Sequence, residues 1–141
     1  MKRALLILTA LAVLLCAMLI PSAVISEGES VVLLAKTMYT LAREQSDDVM
    51  LAIGGVVMNR VASPWFPDTV AGVIEQPHQF AYGTRYDDRA LRLARAAFAG
   101  QGGLRGDVLY YRALDASEGW DVRMAYEVIG NFGFFTEPVV G

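Results

Sequence analysis

The chain has 141 residues, a formal net charge of −3 and a single histidine and cysteine. That length allows one domain. No block of Lys and Arg is present to track phosphates, which argues against a nucleic-acid partner. His78 has no carboxylates at ligand spacing around it, so neither a metal nor another cofactor is expected.

The N-terminus has the order of an export signal. Met1-Lys2-Arg3 is a short basic start, Ala4 to Ile20 runs without a charge, and Pro21-Ser22-Ala23 breaks the run ahead of polar Ser26-Glu27-Gly28-Glu29-Ser30. Cleavage after Ala23 or Ser26 fits this pattern. At roughly 17 residues the run is at the short edge of what spans a bilayer, so residues 1–26 read as a signal peptide or a signal anchor and 27–141 as the domain. Either way the domain is expected outside the cytoplasm, extracellular, in the cell wall or anchored facing outward. It would touch a membrane only through this segment, if uncleaved. Cys16 lies inside the run behind bulky Leu15, which argues against a lipoprotein site, and the remaining domain has no disulfide. Loss of Lys2 and Arg3 takes the net charge to about −5.

Val31, Leu34, Met38 and Leu41 recur at helical spacing, predicting a helix over 30–41 with Ser30 as its N-cap. Ser46-Asp47-Asp48 caps a second helix from Val49 to about Ala62, with two acids favouring its dipole. This helix is apolar almost all round and should be the central buried one. Gly54-Gly55 in its middle each cost roughly 1 kcal/mol against Ala, and such glycines mark a close backbone approach. Ser63 to Pro67 is a loop, and Pro67-Asp68-Thr69 starts a short helix from Val70 to Glu75. Gln76 to Gly83 is irregular. Asp87 to Ala99 is amphipathic, with Ala90, Leu91, Ala94, Ala97 and Phe98 buried and Arg89, Arg92 and Arg95 wet. Glycines at 100, 102 and 103 end it. Asp107 to Arg112 reads as a strand and 113–120 as a loop. Ala125 to Ile129 and Phe132 to Phe135 read as a hairpin turning at Gly130-Asn131. Helices first and a small antiparallel sheet after define an α+β fold.

These pieces carry a resemblance. Ala52-Ile53-Gly54-Gly55-Val56-Val57-Met58-Asn59-Arg60-Val61, then Ser63-Pro64, Phe66-Pro67, Thr69, Gly72-Val73-Ile74, Gln76-Pro77 and Gln79-Phe80 are similar to the SleB/CwlJ family of cell wall hydrolases, the spore-cortex-lytic type. The helix from Ala90 to Gly100, Leu109-Tyr110-Tyr111, Trp120 and Ile129-Gly130-Asn131 continue it in order. The resemblance implies a lysozyme/transglycosylase-like α+β domain. It also implies lytic cleavage of peptidoglycan glycan between N-acetylmuramic acid and N-acetylglucosamine by one glutamate on the first helix, without a metal. Such a carboxyl must sit in a partly apolar pocket to donate a proton to the glycosidic oxygen and later accept one from the muramic 6-hydroxyl. Ordinary hydrolysis would want a second carboxylate.

The chain departs from this pattern at polar positions. Counting back from Asn59-Arg60 without gaps, the family's catalytic glutamate falls on Leu41 and its second glutamate on Gln45. The intervening glycine falls on Glu44, and a glutamine of the next helix on Met50. A histidine often found after Gly-Asn is here Phe132. Three explanations remain open. Catalysis is weak or lost while the fold is kept as a glycan-binding or regulatory module, with an active paralogue working beside it. Alternatively the acid is relocated to Glu44, which on a continued helix lies roughly 60° round and ~4.5 Å along from Leu41, although adjacent Arg43 favours the ionised carboxyl. Or the chain is a non-enzymatic interaction protein at the membrane surface. Glu44 is the candidate catalytic residue, and Arg43, Gln45, Asn59, Gln79, Phe80 and Tyr82 are candidate glycan contacts. Plainer roles compete: Arg43 and Glu44 as a solvated helix end, Asp47 and Asp48 as caps, His78 as incidental, and Tyr110, Tyr111 and Trp120 as sheet packing.

Overall fold

A computed structural model describes residues 22–115 and 122–138. Its elements are α1 (Ser22–Ala42), α2 (Asp47–Ala62), α3 (Val70–Ile74), α4 (Asp88–Phe98), β1 (Tyr110–Ala113), a 3-10 turn (Val122–Met124), β2 (Glu127–Ile129) and β3 (Phe132–Phe135). The three strands form one antiparallel sheet in the order β1-β3-β2. Tyr111 faces Phe134 across β1–β3, and Val128 faces Gly133 across β2–β3. The α+β reading therefore holds, with helices first and the sheet after.

The core lies where α1, α2 and α4 pack on one another. Leu34, Met38, Met50, Ile53, Val56, Val57 and Ala94 are wholly inaccessible, and Phe134 extends the same cluster into the sheet. Helix α2 is the central buried helix, as its composition predicts. Ser46 caps it, its hydroxyl accepting from the Val49 N–H at 3.3 Å. Asp87 caps α4 in the same way, accepting from the Ala90 N–H at 2.7 Å. Each cap satisfies a backbone donor that has no partner inside the helix.

Two boundaries differ from expectation. Helix α1 begins at Ser22 and runs straight through Ser30, which is therefore not its N-cap. Glu27 and Glu29 are good helix formers, and one exposed Gly28 is too weak a breaker to end the helix. The first strand covers Tyr110–Ala113 instead of starting at Asp107, because Asp107 is held in a turn by Arg105 and the Val108 N–H donates to the Arg105 carbonyl. On α4, Leu93 is buried while Leu91 and Phe98 are only partly so. Residues 1–21 and Trp120 lie outside the described residues, and with them all of the predicted signal segment except 22–26, which belong to α1. Among the described residues, no helix is long and apolar enough to cross a membrane.

Candidate functional site

The turn between α1 and α2 carries Arg43, Glu44 and Gln45. Helix α1 stops at Ala42, and the Gln45 N–H donates back to the Ala42 carbonyl at 3.0 Å, closing a tight turn. Glu44 is consequently not one helical turn beyond Leu41, as relocation of the acid on a continued helix requires. Its side chain is 83% exposed and lies 3.4 Å from the Arg43 Nε.

A single guanidinium holds this turn in place. Arg89 of α4 donates through Nε to Asp47 Oδ1 at 2.6 Å, through Nη2 to the Gln45 carbonyl at 2.6 Å and through Nη1 to the Arg43 carbonyl at 3.2 Å. The pattern on α4 assigns Arg89 to the wet face. It is instead half-buried and clamps three elements together, because a forked cation can satisfy carbonyls that a helix end leaves open. The hydrogen bond from Arg89 holds the Asp47 carboxyl below its ordinary value against an opposing effect of desolvation, with the charges of Arg89 and Arg92 adding to the lowering.

An open cleft of about 450 Å³ lies beside the turn. Its walls are Tyr39, Thr40, Arg43 and Glu44 on one side and Gly83, Thr84 and Arg85 on the other. Gly83 fits there because it lacks a side chain: a Cβ would stand 3.0 Å from Thr40 Oγ1, which itself donates to the Lys36 carbonyl at 2.8 Å. Two of the candidates, Arg43 and Glu44, thus share a cleft. Thr40, Thr84 and Arg85 join them without any distinctive sequence signal.

Leu41 is not among the walls of that cleft. It is partly buried and packs against the hydrophobic core. Met50 is fully buried in the core, and Phe132 is 8% exposed with its ring 6.3 Å from that of Tyr111. Three positions at which the resemblance expects polar groups are therefore occupied by apolar side chains that contribute to packing.

The remaining candidates sit where α2 meets β1 and the 76–87 loop. Asn59 donates through Nδ2 to the carbonyls of Arg105 and Val108, at 2.8 and 3.0 Å, and so ties α2 to the approach of β1. Arg60 is 3% exposed. It donates through Nε to the Leu109 carbonyl at 2.7 Å and through Nη1 to Gln79 Oε1 at 3.0 Å. Its guanidinium lies 4.7 Å from the Phe66 ring centre, 5.0 Å from that of Phe80 and 5.3 Å from that of Tyr110. Burial lowers its pKa, partly offset by the neighbouring Tyr110 and Tyr111 hydroxyls. Phe80 is buried and stacks on Tyr111 at 5.5 Å. The Tyr111 hydroxyl, which reaches the Gln79 carbonyl at 3.5 Å, has its pKa pushed up to about 12 by burial, against the lowering effect of Arg60. Tyr82 is 49% exposed on the same loop, and His78 is exposed with φ of 62°. Among the described residues there is no cluster of His, Cys, Asp and Glu able to hold a metal ion.

The comparisons with known proteins meet this geometry. The family model described as Cell Wall Hydrolase matches residues 44–135. The chain belongs to the cell wall hydrolase family. Within it, this cell wall hydrolase family member is 36% identical over 94 residues to a spore cortex-lytic enzyme of Halalkalibacterium halodurans, and 46% identical over 48 residues to one of Bacillus subtilis. The first match covers 62% of this chain but 28% of the relative, and the second 34% and 16%. The chain thus spans well under half the length of these curated relatives. Among solved structures, it is similar to the catalytic domain of the Bacillus cereus SleB protein, with a TM-score of 0.66 and 26% identity over 75% of this chain and 88% of that one. It is equally similar to the catalytic domain of the germination-specific lytic transglycosylase SleB from Bacillus anthracis, with a TM-score of 0.67 and 26% identity over 75% and 93% of the two chains. The α+β architecture is the one these catalytic domains share.

Proposed function

We propose that this chain is an exported domain that meets peptidoglycan and holds its glycan strand with weak or no cleavage. Membership of the cell wall hydrolase family and likeness to SleB catalytic domains support the glycan as ligand. The observation that supports the loss of catalysis is Leu41 packed against the core, at the position where counting back from Asn59-Arg60 puts the family's acid. A leucine cannot transfer a proton, so the single-carboxyl mechanism has no donor there. Burial of Met50 and Phe132 supports the same reading. Substitutions of this kind keep the packed core, so they preserve the fold while removing the polar chemistry.

Co-sedimentation of the full chain with insoluble peptidoglycan, followed by assay of the supernatant for soluble glycan fragments, tests this. Binding without release is expected. Failure to sediment would overturn the glycan-binding reading and leave an interaction protein at the membrane surface as the better account.

One observation favours a second reading. The Glu44 carboxyl, with Arg43 and Arg85, faces an open cleft large enough for a sugar ring. If Glu44 were the relocated acid, peptidoglycan would release fragments and Glu44→Gln would abolish the release. Its 83% exposure weighs against that role, because a glycosidic acid works from a partly apolar pocket.

A further inference from the structure

Gln79 is an exposed residue whose side-chain amide has a fixed orientation. Its oxygen meets Arg60 Nη1 at 3.0 Å. A guanidinium carries five N–H donors and no acceptor, so only the oxygen of the amide can face it. The Nε2 end must then point the other way. No described residue accepts a hydrogen bond from it.

The support for this amide is anchored by several contacts. Arg60 is buried, and its Nε is anchored on the Leu109 carbonyl at 2.7 Å. The Gln79 carbonyl is touched by the Tyr111 hydroxyl, and the next residue, Phe80, is buried and stacked on Tyr111. Among the described residues no carboxylate lies within ion-pairing distance of Arg60. Its charge is met by carbonyl oxygens and ring faces alone. A cation on the oxygen side of an amide polarises the group and makes its N–H bonds stronger donors.

We infer that the Gln79 Nε2 group is a donor-only subsite that selects an acceptor oxygen on the glycan, the carbonyl of an N-acetyl group, and rejects a de-N-acetylated sugar. An acetamido carbonyl offers a lone pair to one of the two Nε2 N–H bonds. The ammonium of a de-N-acetylated amino sugar offers only more donors, and it approaches the uncompensated charge of Arg60. Both effects have the same sign. Gln79 is the contact, and Arg60 is a positioning residue that sets which end of the amide is presented. This inference rests on the glycan-binding reading above.

The test uses three preparations of the same peptidoglycan: native, enzymatically de-N-acetylated, and re-acetylated with acetic anhydride. Sedimentation is measured with the full chain at about 0.15 M salt, where surface attraction is largely screened. Binding to the de-N-acetylated strand should be roughly three- to tenfold weaker, the scale of one lost neutral hydrogen bond, and re-acetylation should restore it. The net charge of −3 would by itself draw the chain toward an ammonium-bearing strand, so a simple charge effect runs opposite to this prediction. Gln79→Ala should bind the native and de-N-acetylated strands alike. Gln79→Glu, which replaces the donor end with an acceptor, should lose or reverse the preference. Both substitutions are at an exposed position, and unchanged thermal unfolding would confirm that the fold is intact. Equal binding of the parent chain to native and de-N-acetylated strands, or a preference that survives Gln79→Ala, would overturn this inference alone. Absence of binding to all three preparations would overturn the glycan-binding reading and this inference with it.

Discussion

The backbone of Gly55 in α2 lies directly against that of Gly102 in the loop after α4. A Cβ on Gly102 would stand 2.5 Å from the Gly55 Cα, and one on Gly55 would stand 2.9 Å from the Gly102 carbonyl oxygen. Neither neighbour is a flexible side chain that could move aside. This contact lets α4 close onto the central helix, and α4 is the element whose Arg89 clamps the turn beside the cleft.

Gly55→Ala and Gly28→Ala should therefore have opposite signs. Both gain helix propensity, about 1 kcal/mol. At Gly28 nothing lies within 4 Å of the added methyl, so the gain should appear as added stability. At Gly55 the methyl meets backbone, and overpacking of about 1–3 kcal/mol should outweigh the gain. Urea unfolding of the two variants reads the difference directly.

Arg89→Met should loosen the turn that carries Arg43, Glu44 and Gln45, with faster amide exchange over residues 43–46 while the core stays protected. Asp47→Asn should remove a pH dependence. The Asp47 carboxyl is held below 3.8 in the folded state, chiefly by the Arg89 hydrogen bond. A lowered folded value means that the contribution is present above the unfolded value and fades as pH falls through the folded one. The parent chain should thus be the more stable at neutral pH, and the difference from Asp47→Asn should close in acid below 3.8. The carboxyl is exposed, so the effect is small and sensitive to salt.

Tyr111 gives the opposite pH signature. Its hydroxyl stays neutral in the fold up to about 12, against 10.0 in the unfolded chain, because burial disfavours the phenolate. A raised folded value means that stability is intact below pH 10 and is lost as pH rises through 12. At about 1.4 kcal/mol per pKa unit the loss is of order 3 kcal/mol. Tyr111→Phe retains the ring that stacks on Phe80 and should shift alkaline unfolding, followed by circular dichroism, to higher pH.

Leu41→Glu combined with Gln45→Glu should restore detectable release of glycan fragments. It should also cost stability, by about 1–3 kcal/mol, because a carboxyl replaces a methyl cluster that packs against the core. The same partly apolar surroundings favour the protonated acid that glycosidic cleavage needs.

Local chemistry was legible in the sequence. Ser46 caps its helix where side-chain type and the following acids predict, and Gly55 marks the backbone contact that its position in an apolar helix predicts. Gly54 does not, since its close neighbours are the Met38 and Ala97 side chains rather than backbone. The start of α1 was not legible, because Glu27-Gly28-Glu29-Ser30 looks the same ahead of a cap as it does in an exposed helical turn. The roles of Arg89 and Arg60 were also hidden. Both are set by carbonyl oxygens distant in sequence, and no local pattern records which carbonyl a fold will bring to a guanidinium. For the same reason Arg85 and Thr84, which wall the cleft with Glu44, carry no sequence signal.

The most direct test is incubation of the full chain with purified peptidoglycan, with the soluble fraction analysed for anhydromuramic fragments. If the resemblance places the family's acid at Leu41, as we propose, the protein should sediment with the peptidoglycan and release no fragments above background. Fragment release that disappears in Glu44→Gln would contradict the account and establish Glu44 as a working acid.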